Sequence, residues 1–176
     1  GQRVDCGDMN ELAATAPVGA GGLIVLPYGN GAERTLGNRA IGASVHGLDL
    51  NLHTRAHLLR AAQEGIVFAL AYGLEIMRGM GVRFEALRAA ETNMFQSPLF
   101  REAFASTCGM AVELYATDGS QGAARGAGLG AGIFGDIREA YGGLQRTMVI
   151  EPDPGLEEAY AHAYGRWRDA LMARLE

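Results

Sequence analysis

The chain has 176 residues, 48% of them hydrophobic, and a formal net charge of -5 at pH 7. This length and apolar content indicate one domain with a buried core and exclude the disordered and fibrous classes. The acidic balance argues against broad binding to nucleic acid or anionic membranes, because both need clustered positive charge, and it leaves a small anionic ligand open.

The first fifty residues predict a short helix and two strands. Asp8 is the expected N-cap of a helix that continues through Ala16, before Pro17 and several glycines end it. The apolar run "GLIVLPY" at 22–28 does not alternate with polar residues, which predicts a strand covered on both faces. After a loop of turn-forming residues, "AIGASVHGL" alternates well enough to predict a second strand.

The strongest helical pattern runs from Thr54 to Met80, and its middle is apolar all round, so this helix is predicted to be central. Strands and helices alternate after it. Ser97 is the expected cap, and Pro98 the first residue, of a helix at "SPLFREAFAST". Further helices are predicted at "GDIREAYGG" and from Gly155, and strands at "ALRAA", "AVELYA" and "TMVIEP". The order of elements predicts an α/β fold.

The few cysteines, the absence of lysine and the lack of long apolar runs limit the functions that this sequence can carry. Cys6 and Cys108 lie far apart, which predicts neither a disulfide framework nor a structural zinc site and favours a reducing, cytoplasmic location. All 15 basic residues are arginine, which removes lysine-dependent chemistry. No run approaches the roughly 18 apolar residues of a membrane span, and no signal pattern opens the chain, so no membrane association is expected. The start at Gly1 indicates a processed product or an excised piece.

The glycine-rich stretch "DGSQGAARGAGLGAG" at 118–132 admits three interpretations. A flexible linker fits poorly, because larger apolar residues follow at helical spacing. A dinucleotide fingerprint matches at Gly126, Gly128 and Ala131, but the preceding strand should end near Tyr115, too early for that motif. The third interpretation is a helix capped by Asp118 or Ser120, in which each interior glycine costs up to about 1 kcal/mol relative to alanine. Such a helix needs a close neighbour, either another element or a ligand.

Three stretches of the sequence resemble the FGGY family of carbohydrate kinases. They are "GLIVLPYGNGAERT", "HGLDLNLHTRAHLLRAAQEGIVFAL" and "SPLFREAFAS". The resemblance covers about Gly21 to Ile133 and is closest to the xylulokinases. It implies a ribonuclease-H-like domain of the actin and hexokinase type, one of two domains that close on ATP and a sugar. Residues 1–176 would then be the larger part of the second, nucleotide-side domain.

The resemblance also implies the reaction. In the family, the γ-phosphoryl group of ATP is transferred to a sugar hydroxyl with the help of Mg²⁺, and D-xylulose is the sugar that the closest likeness implies. The sugar site, the phosphate loops and the catalytic aspartate belong mainly to the first domain, whose patterns are absent from this sequence. No catalytic residue and no metal ligand are therefore expected in this chain, and the chain alone should be inactive.

The adenosine pocket is the contribution that the family resemblance assigns to this domain. A G-A-A-x-G-A-like helix of the family matches Gly122–Ala131, so the implied neighbours of adenosine are Gly122, Gly126 and the cap region around Asp118. Whether Asp118 caps the helix or contacts ribose stays open, although capping is the commoner role.

A glycine-rich turn of the family departs from its pattern here. In register with Ser97, its three glycines become Thr92, Asn93 and Met94. Asn93 tolerates a left-handed backbone and can replace an amide contact, whereas Met94 adds a side chain where bare backbone normally faces the nucleotide. Nucleotide contact is therefore predicted for Asn93, Met94 and Ser97, with altered affinity or orientation.

Four further residues are predicted to act between domains or in the fold. His53 and His57 have the spacing of a metal pair, but no carboxylate accompanies them, so capping or interdomain hydrogen bonding is favoured. Glu33 and Arg34 are either a weak surface ion pair or contacts to the other domain. Tyr160, Tyr164 and Trp167 lie three or four residues apart on the last predicted helix. This spacing predicts that they contact the core or a second subunit.

Two other classes of function stay open. A stand-alone actin-like nucleotide-binding or assembly module would share the fold without a kinase partner. An NAD-binding oxidoreductase would need a strand running directly into Gly126. If the kinase interpretation holds, the absent first domain is the main partner, and the face it left should be apolar and support self-association.

Overall fold

The computed structural model describes residues 5–176 as a mixed α/β structure. Its helices are α1 (Cys6–Ala14), α2 (Arg55–Gly79), α3 (Pro98–Cys108), α4 (Gly119–Gly130), α5 (Ile137–Tyr141) and α6 (Glu157–Leu175). Its strands are β1 (Ile24–Leu26), β2 (Ser44–His46), β3 (Leu87–Ala90), β4 (Val112–Tyr115) and β5 (Arg146–Ile150). Short 3₁₀ turns lie at Ala20–Gly22, Arg34–Leu36 and Asn93–Gln96.

The strands form two small sheets. β1 and β2 pair antiparallel, with Val25 opposite Val45. β3 and β4 pair in parallel, with α3 as the crossover between them, and β5 adds antiparallel to the other edge of β4. The carboxyl ends of β3 and β4 therefore meet at one edge of their sheet.

Helix α2 is the central element, as its all-round apolar middle predicts. It packs against α1, β1, α3 and α6. Its approach to β1 is unusually close, because a Cβ atom on Gly65 would lie 2.3 Å from the carbonyl oxygen of Val25. The same oxygen accepts a hydrogen bond from the indole N–H of Trp167 at 2.9 Å, which ties α6 to the strand as well.

One main core is shared by α2, α3, α6 and the strands. Trp167 and Tyr160 are fully buried in it, together with Phe100, Leu26 and Leu114. Tyr164 is half-buried and stacks on Trp167. The predicted core role of the α6 aromatic residues is confirmed.

A buried polar network joins α2 to the segments on both sides of it. Arg60 contacts Glu64 at 2.7 Å, donates to the carbonyl of Ala16 at 2.8 Å and donates to the hydroxyl of Tyr160 at 2.9 Å. Glu64 accepts the backbone N–H of Gly19 at 3.1 Å. Burial raises the pKa of Glu64, while the hydrogen bond and charge of Arg60 oppose that rise.

Most predicted elements are present, and the differences lie at their ends. Helix α2 begins after Thr54 and ends before Met80, and Ser97 caps α3. The predicted start of α1 is wrong: its N-cap is Asp5, the helix ends at Ala14, and Asp8 lies in the first turn. An aspartate is favourable both as a cap and in a first turn, so the sequence does not separate the two positions.

The two N-terminal strands are shorter than predicted. β1 and β2 have three residues each, because only 24–26 and 44–46 find partners. Both faces of β1 are covered as expected, since Ile24 and Leu26 join the main core and Val25 packs on a smaller cluster that includes Ala61.

Candidate functional site

The predicted nucleotide residues lie on two neighbouring loops at the carboxyl edge of β3 and β4 and on helix α4, which follows the second loop. The turn at 92–97 follows β3, and the loop at 116–118 follows β4 and leads into α4. The backbone N–H of Glu91 donates to the carbonyl of Tyr115 at 3.0 Å and holds the two loop origins together. Ligands of open α/β sheets bind at this kind of edge, where strand ends and helix starts converge.

The turn at 92–97 adopts the backbone that its departure from the family pattern requires. Asn93 has φ 51°, in the left-handed region, and its side chain is exposed. Met94 is half-buried and packs against the main core instead of projecting freely. Asn93 thus adopts the left-handed conformation that asparagine tolerates, and Met94 is accommodated by turning its side chain inward.

Ser97 is enclosed beneath this turn. It is only 3% exposed, and its hydroxyl donates to Oε1 of Gln63 at 2.8 Å and accepts the backbone N–H of Phe100 at 3.4 Å. Gln63 in turn donates to Asn10 at 3.0 Å. The hydroxyl of Ser97 is thus occupied by fold contacts, and the predicted nucleotide contact at Ser97 has no free side-chain group to use.

Asp118 caps helix α4, as one of its two predicted roles requires. Its Oδ1 accepts the hydroxyl of Ser120 at 2.6 Å and the backbone N–H of Gln121 at 2.8 Å. These hydrogen bonds, that of Ser120 first, hold the pKa of Asp118 below its usual value. The carboxylate is therefore ionised at neutral pH and fixed at the start of the helix.

Helix α4 presents a face of bare backbone to open space. Four glycines recur at steps of three and four residues and share this face: Gly119, Gly122, Gly126 and Gly130. A Cβ atom built on any of them would meet no other atom within 4 Å. Gly128 differs, because its Cβ would lie 2.7 Å from the ring of Phe134. Packing within the described residues explains one glycine of this helix and leaves the four on the open face unexplained.

A cleft of about 670 Å³ lies between the ends of β3 and β4 and helix α5, and no residue of α4 or of the turn at 92–97 lines it. Its wall includes Arg88, Ala90, Tyr115, Thr117, Arg138 and Tyr141. The hydroxyl of Tyr141 donates to the carbonyl of Gly122 at 3.3 Å, which joins the cleft wall to the glycine helix. The hydroxyl of Thr117 is shielded from solvent and has no hydrogen-bond partner among residues 5–176. The cleft has the size of a small-molecule site.

The cleft carries positive charge at its rim. Glu113 lies between Arg88 and Arg146 at 2.9 Å from each and accepts the hydroxyl of Tyr115 at 2.8 Å. The hydrogen bond from Arg88, followed by that from Tyr115, lowers the pKa of Glu113 to about 2. Arg138 has no carboxylate within ion-pair distance among residues 5–176. Arg138 therefore suits an anionic ligand, and the sequence did not single it out.

The two predicted histidines serve the fold. Nδ1 of His57 accepts the backbone N–H of Thr54 at 3.3 Å at the start of α2, and Nδ1 of His53 accepts that of Asp49 at 2.9 Å. Nε2 of His53 is 3.2 Å from the carbonyl of Gly21. His57 thus forms a capping contact at α2, His53 fixes the loop before it, and an interdomain role of the pair stays a prediction. Within the part of the chain described, no three His, Cys, Asp or Glu residues are grouped to hold a metal ion.

Glu33 and Arg34 lie at the start of the 3₁₀ turn Arg34–Leu36, far along the chain from α4. Glu33 is half-buried and forms a backbone bridge to Arg39, whereas Arg34 is exposed. The surface ion pair between them is not formed, and their contact with another domain stays a prediction.

The position of the glycines in α4 rules out the dinucleotide interpretation. β4 ends at Tyr115, and Gly126 and Gly128 lie in the second half of the helix instead of at its start. A Rossmann fingerprint opens its helix directly after a strand, so this arrangement lacks the backbone geometry that pyrophosphate needs. The described helices also include none that is long and apolar enough to cross a bilayer.

Comparison with known proteins identifies the family. Residues 2–133 match the C-terminal domain of the FGGY family of carbohydrate kinases. A xylulose kinase of Haemophilus influenzae is 30% identical over 170 residues, which cover 93% of this chain and 34% of the relative. An L-xylulose/3-keto-L-gulonate kinase of Escherichia coli is 28% identical over 169 residues, which cover 94% of this chain and 33% of the relative. The crystal structure of xylulose kinase from Rhodospirillum rubrum superposes with a TM-score of 0.76 at 28% identity. The superposition covers 96% of this chain and 34% of that kinase.

The chain is thus a mixed α/β domain of a carbohydrate kinase fold, related to actin and hexokinase. It belongs to the FGGY family of carbohydrate kinases and corresponds to the family's C-terminal domain. It spans about a third of the length of the relatives it matches. The fold class and the family expected from the sequence are confirmed.

Proposed function

We propose that this chain is the nucleotide-side part of an ATP-dependent sugar kinase and that adenosine lies between the turn at 92–97 and helix α4. The observation that carries the proposal is the open glycine face of α4, which the hydrogen bond from Tyr141 to Gly122 joins to the wall of the cleft at the carboxyl edge of β3 and β4. A row of interior glycines lowers the stability of a helix, and no contact within residues 5–176 explains why alanine is absent at these positions. A flat base and ribose are suited to bare backbone of this kind.

Each predicted nucleotide residue is assigned a role in the proposed adenosine site. Gly122 and Gly126 would let adenosine approach the backbone of α4, and the exposed amide of Asn93 would hydrogen-bond to it. Asp118 would support the site by fixing the start of α4, and Met94 and Ser97 would hold the turn from beneath. The cationic rim of the cleft at Arg138 would attract an anionic ligand to this edge.

The transfer step itself is assigned to the other part of the enzyme. The family resemblance assigns the metal, the sugar and the general base to the preceding domain, and we assign none of them to this chain. We therefore propose that the chain is inactive alone and that its partner is a preceding kinase domain that carries the sugar site, in a cytoplasmic enzyme. Nothing observed favours a stand-alone actin-like module over this proposal.

Calorimetric titration of the full-length protein with ATP tests the adenosine site. Replacement of Gly126 by leucine should weaken ATP binding by about tenfold or more, a loss of about 1.4 kcal/mol, because the side chain would occupy the open face. Ala124→Leu is the matched control, since Ala124 is also exposed but lies about 160° round the same helix. Equal affinity of Gly126→Leu and the natural protein would refute the site, as would an equal loss in the control.

The sugar needs a separate measurement. We propose D-xylulose as the acceptor, because the relatives that match most of the chain are named for kinases of xylulose. Phosphorylation of D-xylulose, L-xylulose and 3-keto-L-gulonate by the full-length enzyme should be compared by kcat/KM. A preference for either of the other two sugars would revise the substrate without affecting the adenosine site.

A further inference from the structure

A small cavity lies where helix α6 and the segment at 19–25 pack against helix α2. Its volume is about 10 Å³, the room that a single water molecule needs. Phe68, Trp167 and other apolar side chains form much of its wall. Glu64 of α2 and Arg166 of α6 also line it and bring two opposite charges. An apolar cavity stays dry, whereas polar atoms without partners hold water, so these two residues decide what the cavity contains.

Arg166 contributes a hydrogen-bond donor that the described chain leaves unused. Its Nε is shielded from solvent and has no hydrogen-bond partner among residues 5–176. Its Nη2 donates to the carbonyl of Gly19 at 3.4 Å. The guanidinium group lies directly against the backbone of this loop, since Cβ atoms built on Gly19 and Gly22 would be 3.1 and 3.2 Å from its terminal nitrogens. A shielded N–H held in this way needs an acceptor, which in native structures is often an ordered water.

Glu64 contributes an acceptor with capacity to spare. Its side chain is 2% exposed, and its Oε1 accepts Nε of Arg60 at 2.7 Å and the backbone N–H of Gly19 at 3.1 Å. Its Oε2 accepts no hydrogen bond from residues 5–176. Burial raises the pKa of Glu64, and Arg60, then Gly19 and then Arg166 oppose that rise. A carboxylate can accept about four hydrogen bonds, so this buried group has room for a further donor.

Arg166 and Glu64 are neighbours that do not touch. Both line the cavity, and the positive charge of Arg166 favours the ionised form of Glu64. No nitrogen of Arg166 lies within 4.0 Å of a carboxylate oxygen of residues 5–176. Two polar groups that face one small cavity beyond hydrogen-bonding distance of each other are the setting in which a water bridges them. The wall thus offers one donor and one acceptor to a single small molecule.

Size and charge together select the molecule. The volume excludes anything larger than water, and the carboxylate of Glu64 would repel an anion as the guanidinium of Arg166 would repel a cation. We propose that the cavity binds one ordered water molecule, which accepts the Nε–H of Arg166 and donates to the carboxylate of Glu64. This water joins α6 to α2 and extends the network of Arg60 and Glu64 to a second arginine. The proposal is independent of the nucleotide site, which lies on α4.

A high-resolution crystal structure of the full-length protein tests the site directly. It should show one well-ordered electron-density peak within hydrogen-bonding distance of both Nε of Arg166 and an oxygen of Glu64. Data collected at long wavelength distinguish water from chloride, because only chloride scatters anomalously there. A chloride peak, a direct contact between the two side chains, or a cavity without any peak would each overturn the proposal.

Oxygen-17 relaxation dispersion of the solvent counts long-lived internal waters and tests the role of Arg166 in solution. Arg166→Met removes the donor, so the dispersion amplitude of the full-length protein should fall by the contribution of one water. Arg168→Met is the matched control, because Arg168 lies on the same helix but pairs at the surface with Glu75 at 3.1 Å and does not line the cavity. The control should keep the natural amplitude.

Two results in solution would contradict the proposal. One is an amplitude in Arg166→Met equal to that of the natural protein, and the other is an equal fall in Arg168→Met. Circular dichroism of both variants, recorded in parallel, shows whether the fold is retained. If Arg166→Met does not fold, the crystal structure of the natural protein decides by itself.

Discussion

Gly65 marks the closest approach of helix α2 to strand β1, and its requirement for glycine is steric. An added Cβ would sit 2.3 Å from the Val25 carbonyl oxygen, which cannot move away because it also accepts the Trp167 indole. We expect Gly65→Ala to lower the free energy of unfolding by about 3 kcal/mol, the upper part of the range for overpacking. Urea unfolding followed by the fluorescence of the single tryptophan measures this loss.

Gly73 in the same helix supplies the control for that prediction. A Cβ there would be 3.6 Å from a methyl group of Thr35, an ordinary contact. Gly73→Ala should therefore raise stability by about 0.5–1 kcal/mol through helix propensity. If both alanine variants behaved alike, the close approach at Gly65 would not be the cause.

The two cysteines should differ sharply in reactivity. Cys6 is exposed, whereas Cys108 is buried, and burial raises the pKa of the Cys108 thiol from 9.0 to about 11. Because the thiolate is the reactive form, a thiol reagent at pH 8 should modify one thiol per chain rapidly and the second only on unfolding. Cys6→Ser should abolish the fast phase, and a fast phase that persisted in this variant would contradict the assignment.

The raised pKa of Cys108 makes folding stability depend on pH in a definite direction. A thiol whose folded pKa is raised contributes stability that is fully present below pH 9 and is lost as the pH rises from 9 to about 11. Replacement of Cys108 by alanine should remove that part of the alkaline loss, which thermal unfolding at pH 8, 9 and 10 can measure.

Helix α4 contains glycines that face open space and one that contacts a side chain, and alanine should affect stability differently at the two kinds of position. Gly122→Ala and Gly126→Ala should each stabilise the protein by about 0.5–1 kcal/mol, since the added methyl groups meet nothing. Gly128→Ala should gain less or destabilise, because the Phe134 ring must move. Thermal unfolding of the three variants checks the order, and a stabilising Gly128→Ala equal to the others would contradict it.

The sequence predicts those elements whose ends are specified by local chemistry. Thr54, and Ser97 with Pro98, mark the starts of α2 and α3 because capping depends on residues adjacent in the chain. The first helix was misplaced because Asp5 and Asp8 are both favourable near a helix start.

The sequence of helix α4 does not determine which groups pack against its glycines. That Gly128 meets Phe134 while Gly126 faces open space depends on how the chain turns after residue 130. For the same reason the cleft and its rim at Arg138 were not foreseen, since α5 comes to lie beside β3 and β4 only through tertiary packing.

At the scale of the whole molecule, the Arg60–Glu64 pair connects segments that are far apart in the sequence. Arg60 reaches Ala16, beyond the end of α1, and Tyr160 in α6, while Glu64 holds the N–H of Gly19. Removal of Arg60 takes away the main compensation of the buried Glu64 charge, a loss that costs about 3–5 kcal/mol when a buried pair is broken. We expect Arg60→Met to lower the unfolding free energy by that amount and to loosen α1 and α6 together.

A second substitution separates the charge from the packing. Glu64→Gln keeps an acceptor for Gly19 but removes the charge, so the double variant with Arg60→Met should be more stable than Arg60→Met alone. Urea unfolding gives the two free energies, and hydrogen exchange shows whether amides of α1 and α6 lose protection in the same step. A double variant less stable than Arg60→Met would mean that Arg60 acts through its hydrogen bonds to Ala16 and Tyr160 and not by compensating the carboxylate. The three segments would then be joined by the arginine fork itself, and Glu64 would serve only the loop at Gly19.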